Sequence, residues 1–157
     1  MPTLQFKGKN IIWNHHLSVP YHTLEEVENL HFQPEKGNGN LIIEGDNLIA
    51  LKALLPEYAG KIDIIYIDPP FDSKADYRTK VILPDVEVEQ RPTVFEQFAY
   101  SDMWHNGTAS YLEMIVPRLI LMRELLSDTG SIYVHLYWHV GLYVKIVMDE
   151  IFGKENL

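Results

Sequence analysis

The chain has no cysteine, which excludes a disulfide framework and a cysteine-based zinc site and suits a reducing cytoplasm. It has no apolar run long enough to span a membrane, and its N-terminus lacks the charged-then-apolar layout of a signal peptide. Basic residues are scarce: 13 Lys and Arg stand against 22 Asp and Glu, a net charge of −9. A module that grips nucleic acid unaided is usually basic, because phosphate contacts carry most of its affinity. If nucleic acid is the substrate, this chain does not hold most of the duplex. The nine glycines are scattered, with no phosphate-cradling loop and no Gly-x-Ser-x-Gly elbow, so a hydrolase of that type is also excluded. What is present is a hydrophobic content of 46% over a length suited to one domain with a real core.

Residues 1–36 are mixed and turn-rich. Four histidines (His15, His16, His22 and His31) fall among them, but no ligand spacing unites them, so no metal is expected. Gly37 to Asn40 reads as a turn. Leu41–Glu44 reads as a short strand. Leu48, Leu51, Leu54 and Leu55 then recur at helical spacing to about Tyr58, with Asp46 placed to cap that helix. The nearly continuous apolar run from Ile62 to Ile67 predicts a parallel strand covered on both faces, completing a βαβ unit. Residues 72–107 are long, polar and poorly periodic, and predict a loop that is functional or mobile. A second helix is expected from Ser110 to Ser127, kinked or started at Pro117. Gly130 ends a turn, Ile132–Leu136 is the next strand and Val140–Phe152 the third helix. That alternation predicts an open α/β sheet, with residues 1–36 an N-terminal extension and residues 37–157 the domain proper.

The most informative segment is Asp68-Pro69-Pro70-Phe71, where the apolar strand runs out. Neither proline donates a backbone hydrogen bond, and Pro69 holds Asp68 extended. A stiff corner results, with a carboxylate and free carbonyls as acceptors and a flat ring beside them. Those parts suit a planar heterocycle bearing an exocyclic amino group. They suit a plain strand terminator with a core phenylalanine as well. Asp46, His135 and Tyr137 also lie just past expected strand ends, where ligands sit in open α/β sheets.

Taken jointly, four stretches resemble the adenine-specific DNA methyltransferases of the permuted β class, relatives of the modification subunits of type III restriction systems. They are Leu41 to Leu48, Lys61 to Phe71, Pro117-Arg118-Leu119 and Met148 to Gly153. The resemblance implies a partial Rossmann-like sheet with flanking helices, and methyl transfer from S-adenosylmethionine to the N6 amino group of a flipped-out adenine. It makes Asp68, Pro69, Pro70 and Phe71 the catalytic corner. The Asp68 side chain and the Pro69 carbonyl accept the amino hydrogens, and Phe71 stacks on the base. Asp46, Asn47 and Asp68 carry over as cofactor-binding positions, with Asp46 on the adenine end. Lys74, Tyr77 and Arg78 match a loop bordering the target-base pocket. The implied partners are double-stranded DNA, held mostly by other regions, and a restriction subunit or a second copy; the implied place is the cytoplasm.

Two departures accompany the resemblance. Tyr137 stands where the family usually has Asp, and Leu142 where it often has His. The family's glycine-rich Asp-Pro-Phe-x-Gly-x-Gly segment and its strand do not occur, so the chain reads as an N-terminal fragment expected to bind S-adenosylmethionine poorly alone. The missing strands also imply that the two strands of the apparent βαβ unit are not neighbours. The alternatives are cytosine-N4 methylation, where Ser more often replaces the acid, and a truncated non-catalytic module.

Overall fold

The computed structural model describes residues 3–30, 40–70, 76–81, 95–101 and 107–157. Helix α1 spans Lys9–Ser18, α2 Asn47–Tyr58, α3 Thr108–Leu125 and α4 Trp138–Phe152. The strands are β1 (Ile62–Ile67), β2 (Asp76–Val81), β3 (Phe95–Ser101) and β4 (Leu126–Val134). Strands β1 and β4 pair in parallel, and β2 and β3 pair antiparallel as a separate ladder. The class is α/β, as the alternation of patterns predicts.

The core forms where α3 and α4 turn their apolar stripes toward each other. Tyr111, Leu112, Ile115, Val116, Leu119 and Met122 of α3 meet Val140, Val144 and Val147 of α4 at the 3–4 spacing of a helix face. Pro117 is buried inside a continuous α3 and so does not start it. Its missing N–H leaves the Glu113 carbonyl without the usual helical donor, a cost that burial of the ring partly offsets. Lys145 lies 2.5 Å from the buried Asp149 carboxylate, on the same face of α4. Pairing tolerates a buried charge that would be costly alone.

Residues 9–18 are helical, where the sequence predicts only turns. Gly8, at φ 88°, opens α1 and accepts from the Ile11 and Ile12 amides. Ile12 is buried in the core, and Leu4, Phe6 and Trp13 pack against it. The Glu150 carboxylate of α4 clasps the same segment, accepting from the Leu4 amide at 2.8 Å and from Lys9 Nζ at 2.6 Å. Tertiary contacts stabilise this helix, since its own apolar pattern is weak.

Two strand expectations need correction. Leu41–Glu44 forms no ladder with any described residue, and Leu41 and Ile42 lie exposed. A four-residue segment without a partner strand cannot satisfy its backbone as a strand. The strand expected at Ile132–Leu136 is β4, which runs instead from Leu126 to Val134 with Gly130 inside it. There the register slips: Ile62 pairs with Leu126, yet Ile64 pairs with Ser131. A Cβ on Gly130 would fall 2.7 Å from the Ile62 carbonyl oxygen and 2.9 Å from Leu126. Glycine is thus what lets the bulge close against β1.

The expected cover on both faces of β1 is also corrected. Ile65 and Ile67 of β1, with Ile132 and Val134 of β4, pack on the helical core. On the opposite face Ile64 is 66% exposed, Tyr66 65% and Tyr133 57%. The described helices lie on one side only. Residues 76–81 and 95–101, expected as loop, pair instead as β2 and β3. No described helix is long and apolar enough to cross a membrane.

Candidate active site

The corner after β1 is built by the ladder that precedes it. Ile67 and Val134 form the last pair of the parallel register, and the His135 amide then donates to the Ile67 carbonyl at 2.9 Å. The next side chains, Asp68 and His135, therefore leave the two strands side by side. His135 Nδ1 lies 3.4 Å from Asp68 Oδ1. Both side chains are more than half exposed, at 53% for Asp68 and 60% for His135, so a ligand can reach them. Pro69 and Pro70 are half-buried, and every peptide bond described is trans.

A second polar cluster stands at the start of α2. Gly45, at φ 143°, turns the chain, and Asp46 caps the helix: its Oδ1 accepts from the Leu48 amide at 2.8 Å and the Ile49 amide at 3.4 Å. This is the side-chain cap the sequence predicts. Arg118 reaches over from α3. Its Nε donates to Asn47 Oδ1 at 2.6 Å, its Nη1 to the Met114 carbonyl at 2.5 Å, and its Nη2 lies 3.9 Å from Asp46 Oδ1. Burial pushes the Arg118 pKa below the usual arginine value, and the nearby Asp46 charge works against that shift. The guanidinium stays cationic because its ordinary value is so high.

Tyr137 ends the connection from β4 as the cap residue of α4, half-exposed, with its ring 5.2 Å from that of His139. Leu142 is 76% exposed. Tyr77 and Arg78 lie on β2, opposite Tyr100 and Phe98, where the ladder shifts register. Phe71 and Lys74 lie outside the described residues. Arg118 and the pairing of His135 with Asp68 are not evident from sequence. Arg118 lies on an apolar helix, and its partners Asn47 and Asp46 are far from it in sequence. The pairing depends on a strand register that sequence does not state.

An Asp-Pro-Pro corner at the carboxyl end of a parallel strand, in an α/β chain, is compatible with part of a methyltransferase fold. The chain belongs to the DNA methylase family, whose sequence pattern matches residues 62–157. It is similar to the type III restriction-modification enzyme EcoP15I Mod subunit of Escherichia coli, 30% identical over 152 residues that cover 88% of this chain and 23% of the relative. The StyLTI Mod subunit of Salmonella typhimurium is 32% identical over 145 residues, covering 87% and 21% respectively. The type II methyltransferase M.EcaI of Enterobacter cloacae is 36% identical over 117 residues, 74% of this chain and 22% of the relative. The chain thus spans about a quarter of the length of these relatives.

Proposed function

We propose that this chain supplies the amino-methylating corner of a site-specific DNA adenine-N6 methyltransferase that uses S-adenosylmethionine. The observation that carries the reading is Asp68, accessible at the carboxyl end of β1 and followed by Pro69, in a chain of the DNA methylase family. An aromatic amine is a poor nucleophile because its lone pair is delocalised into the ring. The Asp68 carboxylate and the Pro69 carbonyl accept its two hydrogens, draw the nitrogen toward tetrahedral geometry and localise the pair. Phe71 stacks on the flipped base, offsetting part of the few kcal/mol spent on unstacking it. The acid favours adenine over cytosine.

The donor supplies a methyl group on a positively charged sulfur. With that donor bound, the amino nitrogen held by Asp68 and Pro69 would take up the methyl group, and Asp68 or water would accept the proton the nitrogen gives up. Asp46, Asn47 and Asp68 hold that donor. The donor set fits, because adenosine presents amino and hydroxyl donors and Asp46 is a carboxylate 57% exposed at the helix start. Tyr77 and Arg78, with Lys74, border the target base and its phosphates. The sheet is read as part of a Rossmann-like methyltransferase sheet, with residues 1–36 an N-terminal extension. The net charge of −9 agrees with a duplex held mainly by other regions of the protein. The likeness to type III Mod subunits supports a restriction subunit as partner, with a second copy as the alternative, and a cytoplasmic location belongs to the same reading.

The test is mass spectrometry of nucleosides from DNA incubated with the intact enzyme carrying this chain. N6-methyladenine is expected, and Asp68→Ala is expected to abolish it. Full methylation by Asp68→Ala, or N4-methylcytosine as the product, would overturn the reading.

A further inference from the structure

We propose that His135 is a positioning residue for Asp68: its Nδ1–H holds one carboxylate oxygen, so that the other faces the amino group to be methylated. The proposal rests on the methyltransferase reading above.

A carboxylate turns readily about its last side-chain bond, since that torsion has broad, shallow wells. Pro69 restrains the Asp68 backbone but not this rotation. Accepting a hydrogen from an amine demands one orientation, and a freely turning carboxylate spends part of its time out of it. His135 supplies the missing restraint. Its own backbone is fastened one residue earlier, by the 2.9 Å bond from its amide to Ile67, so the ring has a fixed origin relative to Asp68. From there Nδ1 lies 3.4 Å from Asp68 Oδ1, within ion-pair range and longer than a formed hydrogen bond, a gap of the kind that closes when such a site is occupied. No other described side chain is placed to donate to Asp68 at that distance.

The alternative is a surface pair without consequence. Exposed ion pairs contribute little to stability, so such a pair would alter neither folding nor turnover much. A positioning role separates those two quantities. Folding stays the same, because the groups are solvated, while turnover falls because the acceptor loses its orientation.

The shapes of the amide side chains make the test specific. The amide nitrogen of asparagine superposes on Nδ1 of histidine, whereas that of glutamine superposes on Nε2. In the intact enzyme, His135→Ala and His135→Gln are expected to lower kcat about five- to tenfold, the scale of one half-exposed charge-assisted hydrogen bond. KM for DNA and the melting temperature should stay within error. His135→Asn should restore most of kcat. An independent readout is the nitrogen-15 spectrum of the His135 ring in the intact enzyme. At a pH where the ring is neutral, the proton should sit on Nδ1, and Asp68→Ala should move it to Nε2. A proton on Nε2 in the unmutated chain, or an unaltered kcat for His135→Ala, overturns the proposal. Loss of methylation in Asp68→Ala beside an unaffected His135→Ala would sink only the role of His135. Retained methylation in Asp68→Ala would sink the methyltransferase reading itself.

Discussion

Arg118 Nε donates to the Asn47 side-chain oxygen at 2.6 Å, fastening the middle of α3 to the first turn of α2 across 71 residues of sequence. The guanidinium is only 17% exposed, and its other nitrogens serve Met114 and approach Asp46. Such a fork is not reproduced by an ammonium group. Arg118→Met should therefore destabilise the chain by about 1–3 kcal/mol in urea unfolding, the scale of lost hydrogen bonds to a charged group. Arg118→Lys should recover less than half of it. Faster hydrogen exchange at the Leu48 and Ile49 amides would locate the loss at the start of α2.

Asp46 caps α2, and substitution can separate that task from the cofactor contact proposed for it. As a cap it needs only an oxygen that accepts from the amides of Leu48 and Ile49, and asparagine caps as well as aspartate. As a ligand to the cofactor's adenosine it is assigned a charge. Asp46→Ala should cost about 0.5–2 kcal/mol of stability, whereas Asp46→Asn should cost little. If the carboxylate binds the cofactor, Asp46→Asn should still weaken S-adenosylmethionine binding by the intact enzyme several-fold in calorimetric titration. Unchanged affinity with unchanged stability would leave Asp46 as a cap only.

Gly130 bears a prediction about the backbone. An added methyl group would press on the Ile62 carbonyl and on Leu126, and neither can yield without opening the bulge. Gly130→Ala should destabilise by about 1–3 kcal/mol, the usual range for forcing a methyl into a packed site. Amide exchange should rise at residues of β1 and not in α1. A neutral effect would mean that the bulge can relax.

These residues also mark how far the sequence could be read. Helices α2, α3 and α4 were legible because their apolar spacing extends over several turns, and Asp46 because a capping side chain acts within its own turn. Gly130 looked like the end of a turn because glycine signals a bend but not which kind. Whether it closes a turn or permits a bulge depends on Ile62, which lies far away in sequence. Leu41–Glu44 has strand composition, yet a strand exists only with a partner, and its residues stand exposed. Helix α1 was missed for the opposite reason. Its pattern is weak, and Ile12 and the Glu150 clasp hold it from outside. At the candidate site, the Asp-Pro-Pro corner was visible as a local signal. The neighbour of Asp68 came only from the parallel register that sets His135 beside it.

The open face of the β1–β4 pair leads to the last prediction. Tyr66 and Tyr133 are paired in the register and both point away from the core, with Ile64 beside them on β1. Unlike scattered surface apolar residues, these three form one patch on a sheet that is two strands wide among the described residues, and sheet edges are prone to pair with another chain. Such a surface favours self-association when the 157-residue chain is studied alone. Sedimentation velocity should show concentration-dependent association near neutral pH that added salt does not weaken, because apolar contact and not charge drives it. Ile64→Lys together with Tyr66→Lys should return the chain toward a monomer. The double change should leave the fold intact, because Ile65 and Ile67 carry the packing on the other side of the strand. A monomer at all concentrations before mutation would show that the patch is too small to drive association.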